Sequence, residues 1–317
     1  MFYALHGVPI QFESHDARLT ARWHREWAPF ASAPVVSSAP IVVRLEVALA
    51  LPPPPAEAVV SEGPFVAYHR SGDRLVLYLP RWGRCDIHLA ANIVEGRLLE
   101  SCFEAYGVFE DVVIMALAPL LRRRGLFTIH AFAAARQGRA AILAGDIGAG
   151  KTTTGLALLL AGYRLCANDS PLLRLKADGG VDVLAYPGLL SAYPDSLSRF
   201  PALAGLLAEL PPDRPPAKLS FALDVIRPEA WQYEAQPGAL FFPRVVPGLA
   251  ASTLSPLDRF EALRRLIAHA VERWDTATIP THLQALRRLV ESCPAYELHL
   301  APDIERLPAL LTAAMDG

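Results

Sequence analysis

The sequence predicts an α/β fold preceded by a β-rich N-terminal region, and three observations carry that prediction. Short β-branched runs bounded by Gly, Pro and Asp occupy roughly the first hundred residues. From Glu104 onward, apolar segments with helical spacing alternate with short strand-like runs. Between one such strand and one such helix lies a glycine-rich turn that ends in Lys and Thr. These changes of character divide the chain into a β-rich N-terminal region, 1–103, and an α/β domain, 104–317.

In the first region Ile41–Val47 is β-branched and partly alternating, and Leu75–Leu79 and Cys85–Leu89 are short strand candidates. The run Pro52–Pro55 fits neither a helix nor a central strand and is read as a stiff loop. From Phe109 to Arg124 the residues Val112, Val113, Met115, Ala116 and Leu120 recur at helical spacing. Arg122, Arg123 and Arg124 then meet the negative end of the helix dipole, and Gly125 can cap it in the left-handed conformation.

Strands are expected at Phe127–Ala133, Ala140–Ala144 and Tyr163–Ala167, with a helix from Lys151 to Leu160. Two further helical patterns close the chain, Pro256–Trp274 and Thr281–Glu291.

The turn reads Gly145-Asp146-Ile147-Gly148-Ala149-Gly150-Lys151-Thr152, which satisfies G-x-x-x-x-G-K-[ST] in full. Glycines let backbone N–H groups curl around phosphate oxygens, and the helix N-terminus adds a favourable dipole. Lys151 would bridge the β- and γ-phosphates of a nucleoside triphosphate, and the Thr152 hydroxyl would ligate Mg²⁺. With Thr153 these residues form the candidate nucleotide-binding set. Asp146 fits equally well as a turn residue and as a substrate contact. No guanine-selecting Asn-Lys-x-Asp and no transporter-type signature follows.

Composition narrows the function classes. A formal net charge of −2 argues against broad electrostatic binding to nucleic acid or an acidic membrane. The mean hydropathy is +0.26, yet no stretch approaches the ~18 apolar residues of a spanning helix. The opening Met-Phe-Tyr-Ala-Leu-His lacks the pattern of a secretory leader. Cys85, Cys102, Cys166 and Cys293 form no CxxC pair and are expected to be reduced, mostly buried thiols. Cys85 and His88 lack a second ligand pair, so no zinc site is expected. A cytoplasmic protein is the expectation. Lysine occurs only as Lys151, Lys176 and Lys218 among abundant arginines, which makes each lysine informative.

The run from His130-Ala131-Phe132 through Gly145…Gly150-Lys151-Thr152 to Gly162-Tyr163-Arg164-Leu165-Cys166-Ala167-Asn168-Asp169 resembles the core of HPr kinase/phosphorylase and its relatives. The spacings from His130 to Gly145 and from Lys151 to Asp169 agree with that family. Leu254–Ile267 is similar to the tail of HPr-kinase-like kinases from bacterial peptide-modification clusters. The Pro-Val-x-Pro-Gly-Arg segment linked to phosphorylase activity in HPr kinase itself is not recognisable here. The resemblance implies a P-loop kinase domain of HPr-kinase type that uses ATP and Mg²⁺. It implies transfer of the γ-phosphate to a serine-type hydroxyl of a small protein, peptide or metabolite, and it leaves room for a homo-oligomer.

By resemblance, two consecutive aspartates end the strand after the loop helix; one helps to hold Mg²⁺ and the other takes the proton of the acceptor serine. This chain has Asn168-Asp169. Asparagine accepts a hydrogen bond but takes up no proton at neutral pH. Thr152 and Asp169 remain as the Mg²⁺ ligands. Three readings stay open: a hydroxyl kinase with Asp169 or His130 handling the proton, a kinase for an acceptor already deprotonated, and a nucleotide-binding regulator or scaffold with weakened catalysis.

His130 would orient the acidic residue according to the resemblance; an ordinary histidine bonded to a backbone carbonyl explains it as well. Arg244, after the apolar Leu240–Pro243, could reach the transferring phosphoryl group, with a surface salt bridge as the simpler account. Lys218 is a further candidate for charge stabilisation.

Overall fold

The computed structural model describes the chain except residues 35–38, 55, 57–59, 62–64, 105–106, 209–217, 229, 273 and 317, and except the side chains at 60, 61 and 208. Pro55 of the proline run therefore lies outside the described residues, as do Pro215, Pro216 and Ala217 before Lys218. The chain is mixed α/β and divides into two units, residues 1–124 with 273–276 and residues 125–272 with 277–317.

The first unit holds β1 (Phe2–Leu5), β2 (Val8–Glu13), α1 (Ala17–Trp27), β3 (Ile41–Val47), β4 (Val60–Ser61), β5 (Ala67–Ser71), β6 (Arg74–Leu79), β7 (Gly83–His88), β8 (Ile93–Leu98), α2 (Ser101–Glu104) and α3 (Val108–Arg123). The strands form one sheet in the order β1-β2-β3-β8-β7-β6-β5-β4. β2, β3 and β8 run parallel, and the remaining neighbours are antiparallel. Along β3, buried Ile41, Val43 and Leu45 alternate with Val42, Arg44 and Glu46, as a strand with one face on a core requires. The Asp16 carboxylate caps α1, accepting from the N–H groups of Arg18 at 2.8 Å and Leu19 at 3.2 Å. Leu19, Trp23 and Trp27, one turn apart, are buried, and Trp23 stacks between Phe12 at 4.3 Å and Trp27 at 4.7 Å.

α3 ends as the sequence suggests, with Gly125 at φ 78°. Its arginines do more than face a dipole. Arg122 Nε donates to Asp275 Oδ2 at 2.9 Å, and Arg123 Nη2 donates to Asp275 Oδ1 at 2.9 Å. A buried guanidinium needs a fixed counter-charge, which the dipole alone does not supply.

The second unit holds β9 (Leu126–Thr128), β10 (Ala131–Arg136), β11 (Arg139–Ala144), α4 (Lys151–Leu160), β12 (Arg164–Ala167), β13 (Leu172–Leu175), β14 (Val181–Leu184), β15 (Leu190–Ala192), α5 (Pro194–Leu197), α6 (Ala204–Ala208), β16 (Leu219–Phe221), β17 (Glu234–Val245), β18 (Thr253–Leu257), α7 (Arg259–Ala268), α8 (Ile279–Ser292), β19 (Ala295–Leu300) and α9 (Leu307–Asp316). Its main sheet runs β12-β10-β11-β17-β14-β13-β9, with β19 joining β17 and β18 joining β19. β11, β17 and β19 are mutually parallel, so their C-terminal ends share one edge.

Both faces of this sheet are covered. Phe132, Ala134, Leu143 and Phe241 point to a core closed by Leu156 and Leu159 of α4 and Leu307 and Leu311 of α9. Ala131, Ala133, Ile142 and Leu240 point the other way, to Ala262 and Leu266 of α7 and Leu286 and Leu289 of α8. α4 comes close because residue 155 is glycine: a Cβ there would sit 2.4 Å from the Phe132 ring.

Two expected elements differ in detail. The strand expected over 127–133 is broken into β9, paired with β13, and β10, paired with β11 and β12; Ile129 and His130 form the corner between them. The helix expected from Pro256 begins only at Arg259, because Thr253–Leu257 pairs as a strand with β19. Asp258 then caps α7, its carboxylate accepting the Glu261 N–H at 3.0 Å.

Cys85, Cys102 and Cys166 are buried thiols, and Cys293 is half-buried; burial pushes the Cys166 thiol up to about 12. Among the described residues no helix is long and apolar enough to cross a membrane.

Candidate functional site

The loop 145–150 joins the end of β11 to the start of α4 at the C-terminal edge shared by the parallel strands, the edge where ligands of open α/β sheets bind. Gly148 and Gly150 have φ of 82° and 103°, the left-handed region that glycine enters without strain. Gly150 also lies against β19: a Cβ there would fall 2.3 Å from Leu300 Cδ1. Ala149 N–H donates to Asp146 O at 3.2 Å and closes the turn. The N-cap of α4 is Gly150, and among the described residues no side chain caps the helix, so the N–H groups of its first turn are left for water or a ligand.

Lys151 folds back over the loop. Its Nζ donates to Gly145 O at 2.6 Å and Asp146 O at 3.1 Å and lies 3.4 Å from His130 Nε2. The side chain is only 7% exposed. Burial lowers its pKa from the ordinary lysine value; Asp169 opposes that shift and Lys218 adds to it.

His130 stands at the corner before β10. Its N–H donates to His269 O at 2.9 Å, and the next N–H, of Ala131, donates to Asp169 O at 3.0 Å. These two backbone bonds draw the end of β12 and the residue after α7 to one place. Loss of hydration, then the Lys151 ammonium, pushes the His130 pKa below 6.5, with Asp169 pulling the other way. The neutral imidazole is thereby favoured near pH 7, and its tautomer protonated on Nδ1 would let Nε2 accept from the Lys151 ammonium.

Asn168 and Asp169 follow β12 directly. Asn168 Nδ2 donates to Asp169 Oδ2 at 2.8 Å, while Asn168 Oδ1 is buried without a hydrogen-bond partner among the described residues. Asp169 is exposed at the loop edge. Thr152 is half-buried, and Thr153 Oγ1 donates to Ser196 Oγ at 3.1 Å. Ile147 at the loop tip is exposed.

Gly145 to Thr153, His130, Asn168 and Asp169 thus gather at one edge of one sheet. Arg244 is on the same edge, next to last in β17, but its guanidinium is engaged with β19: Nη2 lies 3.2 Å from His299 Nε2 and Nε 3.7 Å from Glu297 Oε1.

Two residues join the site that the sequence left aside or ranked low. His269, which no sequence pattern singles out, places Nε2 3.9 Å from Asp146 Oδ1 in the loop; nothing in its surroundings Leu-Ile-Ala-His-Ala marks it. Lys218 lies within electrostatic reach of both Lys151 and His130. The scarcity of lysine was its signal: Lys176, the third, lies near Asp178 and Asp182 instead.

No protein-family model matches the chain, and no curated protein matches it. Among solved structures, the HPr(Ser) kinase/phosphatase from Coxiella burnetii is similar, with a TM-score of 0.31 and 12% identity over 60% of this chain and 93% of that one. The chemistry of the site is read from its own residues.

Proposed function

We propose that the protein is a phosphotransferase. The loop 145–153 binds the phosphates of ATP with Mg²⁺, and the γ-phosphate passes to a serine-type hydroxyl of a small protein, peptide or metabolite. The observation that carries the reading is the complete strand–glycine loop–helix unit with Lys151 Nζ curled over the loop carbonyls.

The residues present suit these ligands. Left-handed Gly148 and Gly150 and an uncapped helix start leave backbone donors for phosphate oxygens. Among the described residues no three His, Cys, Asp or Glu side chains converge on a metal position, but Mg²⁺ in phosphoryl-transfer sites takes one or two carboxylates together with phosphate oxygens and water. The hard oxygen donors Thr152 and Asp169 would hold it, and Asn168, next to Asp169 in sequence, adds an amide oxygen that is unpartnered among the described residues. When bound, Mg²⁺ neutralises charge on the β- and γ-phosphoryl oxygens.

In the transfer, the acceptor oxygen forms a bond to the γ-phosphorus and the bond from that phosphorus to the β–γ bridging oxygen breaks. Lys151 exchanges its loop carbonyls for phosphate oxygens. The acceptor proton goes to Asp169 or to the neutral His130, since Asn168 cannot take it. Phosphoryl transfer relies mainly on positioning and charge neutralisation, so this site tolerates an amide where a base would speed it.

A second reading, a nucleotide-binding regulator or scaffold, draws on one contact: the Asn168 amide occupies Asp169 Oδ2 and competes for the remaining carboxylate. Incubation with Mg²⁺ and γ-labelled ATP, alone and with proteins or peptides encoded beside the gene, separates the two. Label on an acceptor, lost in Lys151→Ala, supports the kinase. Label that stays on ATP while ATP raises the melting temperature supports the regulator. A protein neither labelled nor stabilised by ATP contradicts both.

A further inference from the structure

In the first unit, α1 and α3 are joined by one guanidinium and two carboxyl groups. Arg22 Nε donates to Glu26 Oε1 at 3.2 Å, and Arg22 Nη2 donates to Glu110 Oε1 at 2.5 Å. The same guanidinium lies 5.0 Å from the centroid of the Phe109 ring on α3, within the range of a cation–π contact. Glu26 is 4% exposed. Glu110 Oε2 is buried and has no hydrogen-bond partner among the described residues.

With both carboxyls ionised, the cluster would set two negative charges against one guanidinium and leave a buried acceptor without a donor, which is costly. A single proton removes both faults. Placed on Glu26, it cancels the second charge and supplies an O–H to Glu110, the carboxyl that Glu26 faces. Burial holds the Glu26 carboxyl well above its ordinary value, the Glu110 charge adds to that, and Arg22 and the exposed Arg25 oppose it. Cys102 of α2, which faces Arg22 and Glu110, stays a thiol, burial pushing it up to about 12.

We propose that Glu26 and Glu110 share one proton, that this proton and Arg22 together fasten α1 to α3, and that the fastening loosens as pH rises. On deprotonation the proton leaves to solvent, and two carboxylates then repel each other across Arg22. The device needs nothing from the nucleotide reading of the loop.

The test compares thermal melts of the full chain across pH for wild type and Glu26→Gln, whose amide donates as the protonated carboxyl does and cannot ionise. The wild-type melting temperature, relative to the variant's, should fall as pH rises from about 4.3, the unfolded glutamate value, through the folded value. The ¹³C resonance of the Glu26 carboxyl reads the proton directly in the wild type and should titrate above about 4.3. Glu110→Gln supplies a neutral donor and lets Glu26 ionise beside Arg22, so it should bring that titration down. A difference between wild type and Glu26→Gln that does not change with pH overturns the proposal. So does a Glu26 carboxyl that titrates at or below the ordinary value, a measurement on wild type that decides even if Glu26→Gln does not fold.

Discussion

Positive charge is handled differently in the first unit and at the loop edge of the second. Elsewhere the second unit pairs arginines as the first does, Arg174 with Asp182 and Arg265 with Glu261 among them. In the first unit, guanidinium groups meet carboxylates at short range. Arg74 and Arg84 both bind Asp86, Arg122 and Arg123 both bind Asp275, and Arg22 contacts Glu26 at 3.2 Å and Glu110 at 2.5 Å. At the loop edge of the second unit the Lys151 ammonium is buried against loop carbonyls and faces His130, with Lys218 within electrostatic reach, and the carboxylates of the same edge, Asp146 and Asp169, are exposed. Charge paired in the interior is part of the fold. A buried lysine beside left-handed glycines and a helix N-terminus suits the anionic ligand proposed for the loop.

The comparison is broken most directly at Asp275. Asp275→Ala strands Arg122, 3% exposed, without its counter-ion and should destabilise the protein by about 3–5 kcal/mol in a denaturant melt. A variant as stable as wild type would mean that the first unit's charges do no structural work. The pH sign follows from the same pair. Burial acts to raise the Asp275 carboxyl, but its two guanidinium partners hold it below its ordinary value. Its contribution is present above about pH 3.9, the unfolded carboxylate value, and is lost as pH falls through the folded pKa.

Asn168→Asp sharpens the second half. A restored carboxylate should raise transfer to a hydroxyl acceptor by about 10²-fold, the lower end of general-base assistance, measured as initial rate at fixed ATP. No gain would point to an acceptor that arrives already deprotonated. Gly155→Ala tests how closely the loop helix rides on the sheet. Its methyl would overlap the Phe132 ring, and overpacking of this kind costs about 1–3 kcal/mol, read as a lower melting temperature.

The smallest effect is at His130. Its pKa lies below 6.5 in the free protein, so the unfolded chain binds its proton more readily. Stability should therefore fall as pH drops from about 6.5 towards the folded pKa. ATP, by drawing Lys151 away and adding negative charge, should move the His130 pKa upward in an NMR titration. A downward move would place the nucleotide elsewhere.

How much of this was legible in the sequence follows from what is local. The loop and α4 were readable because spacing and residue type within one short stretch dictate both, and Gly125 likewise announced the end of α3. The start of α7 was misplaced because Pro256 and Leu257 suit a helix pattern as well as an edge strand; Asp258 followed by Glu261 was the capping signal that fixes it. His269 was illegible. It enters the site through a backbone carbonyl that accepts from His130, a contact set by how α7 packs and carried by no pattern of side chains. The corner at His130 was hidden for a related reason: strand propensity continues through 127–133, and only the choice of two different partners for β9 and β10 breaks it.

The central claim is that the cations at the loop edge await the phosphates of a nucleotide, and titration of Mg-ATP into wild-type protein and into Lys151→Ala tests it most directly. The account predicts saturable binding to wild type, loss of that binding in Lys151→Ala, and the same melting temperature for the two proteins without nucleotide. Binding of equal strength in both, or none to the folded wild type, would contradict it.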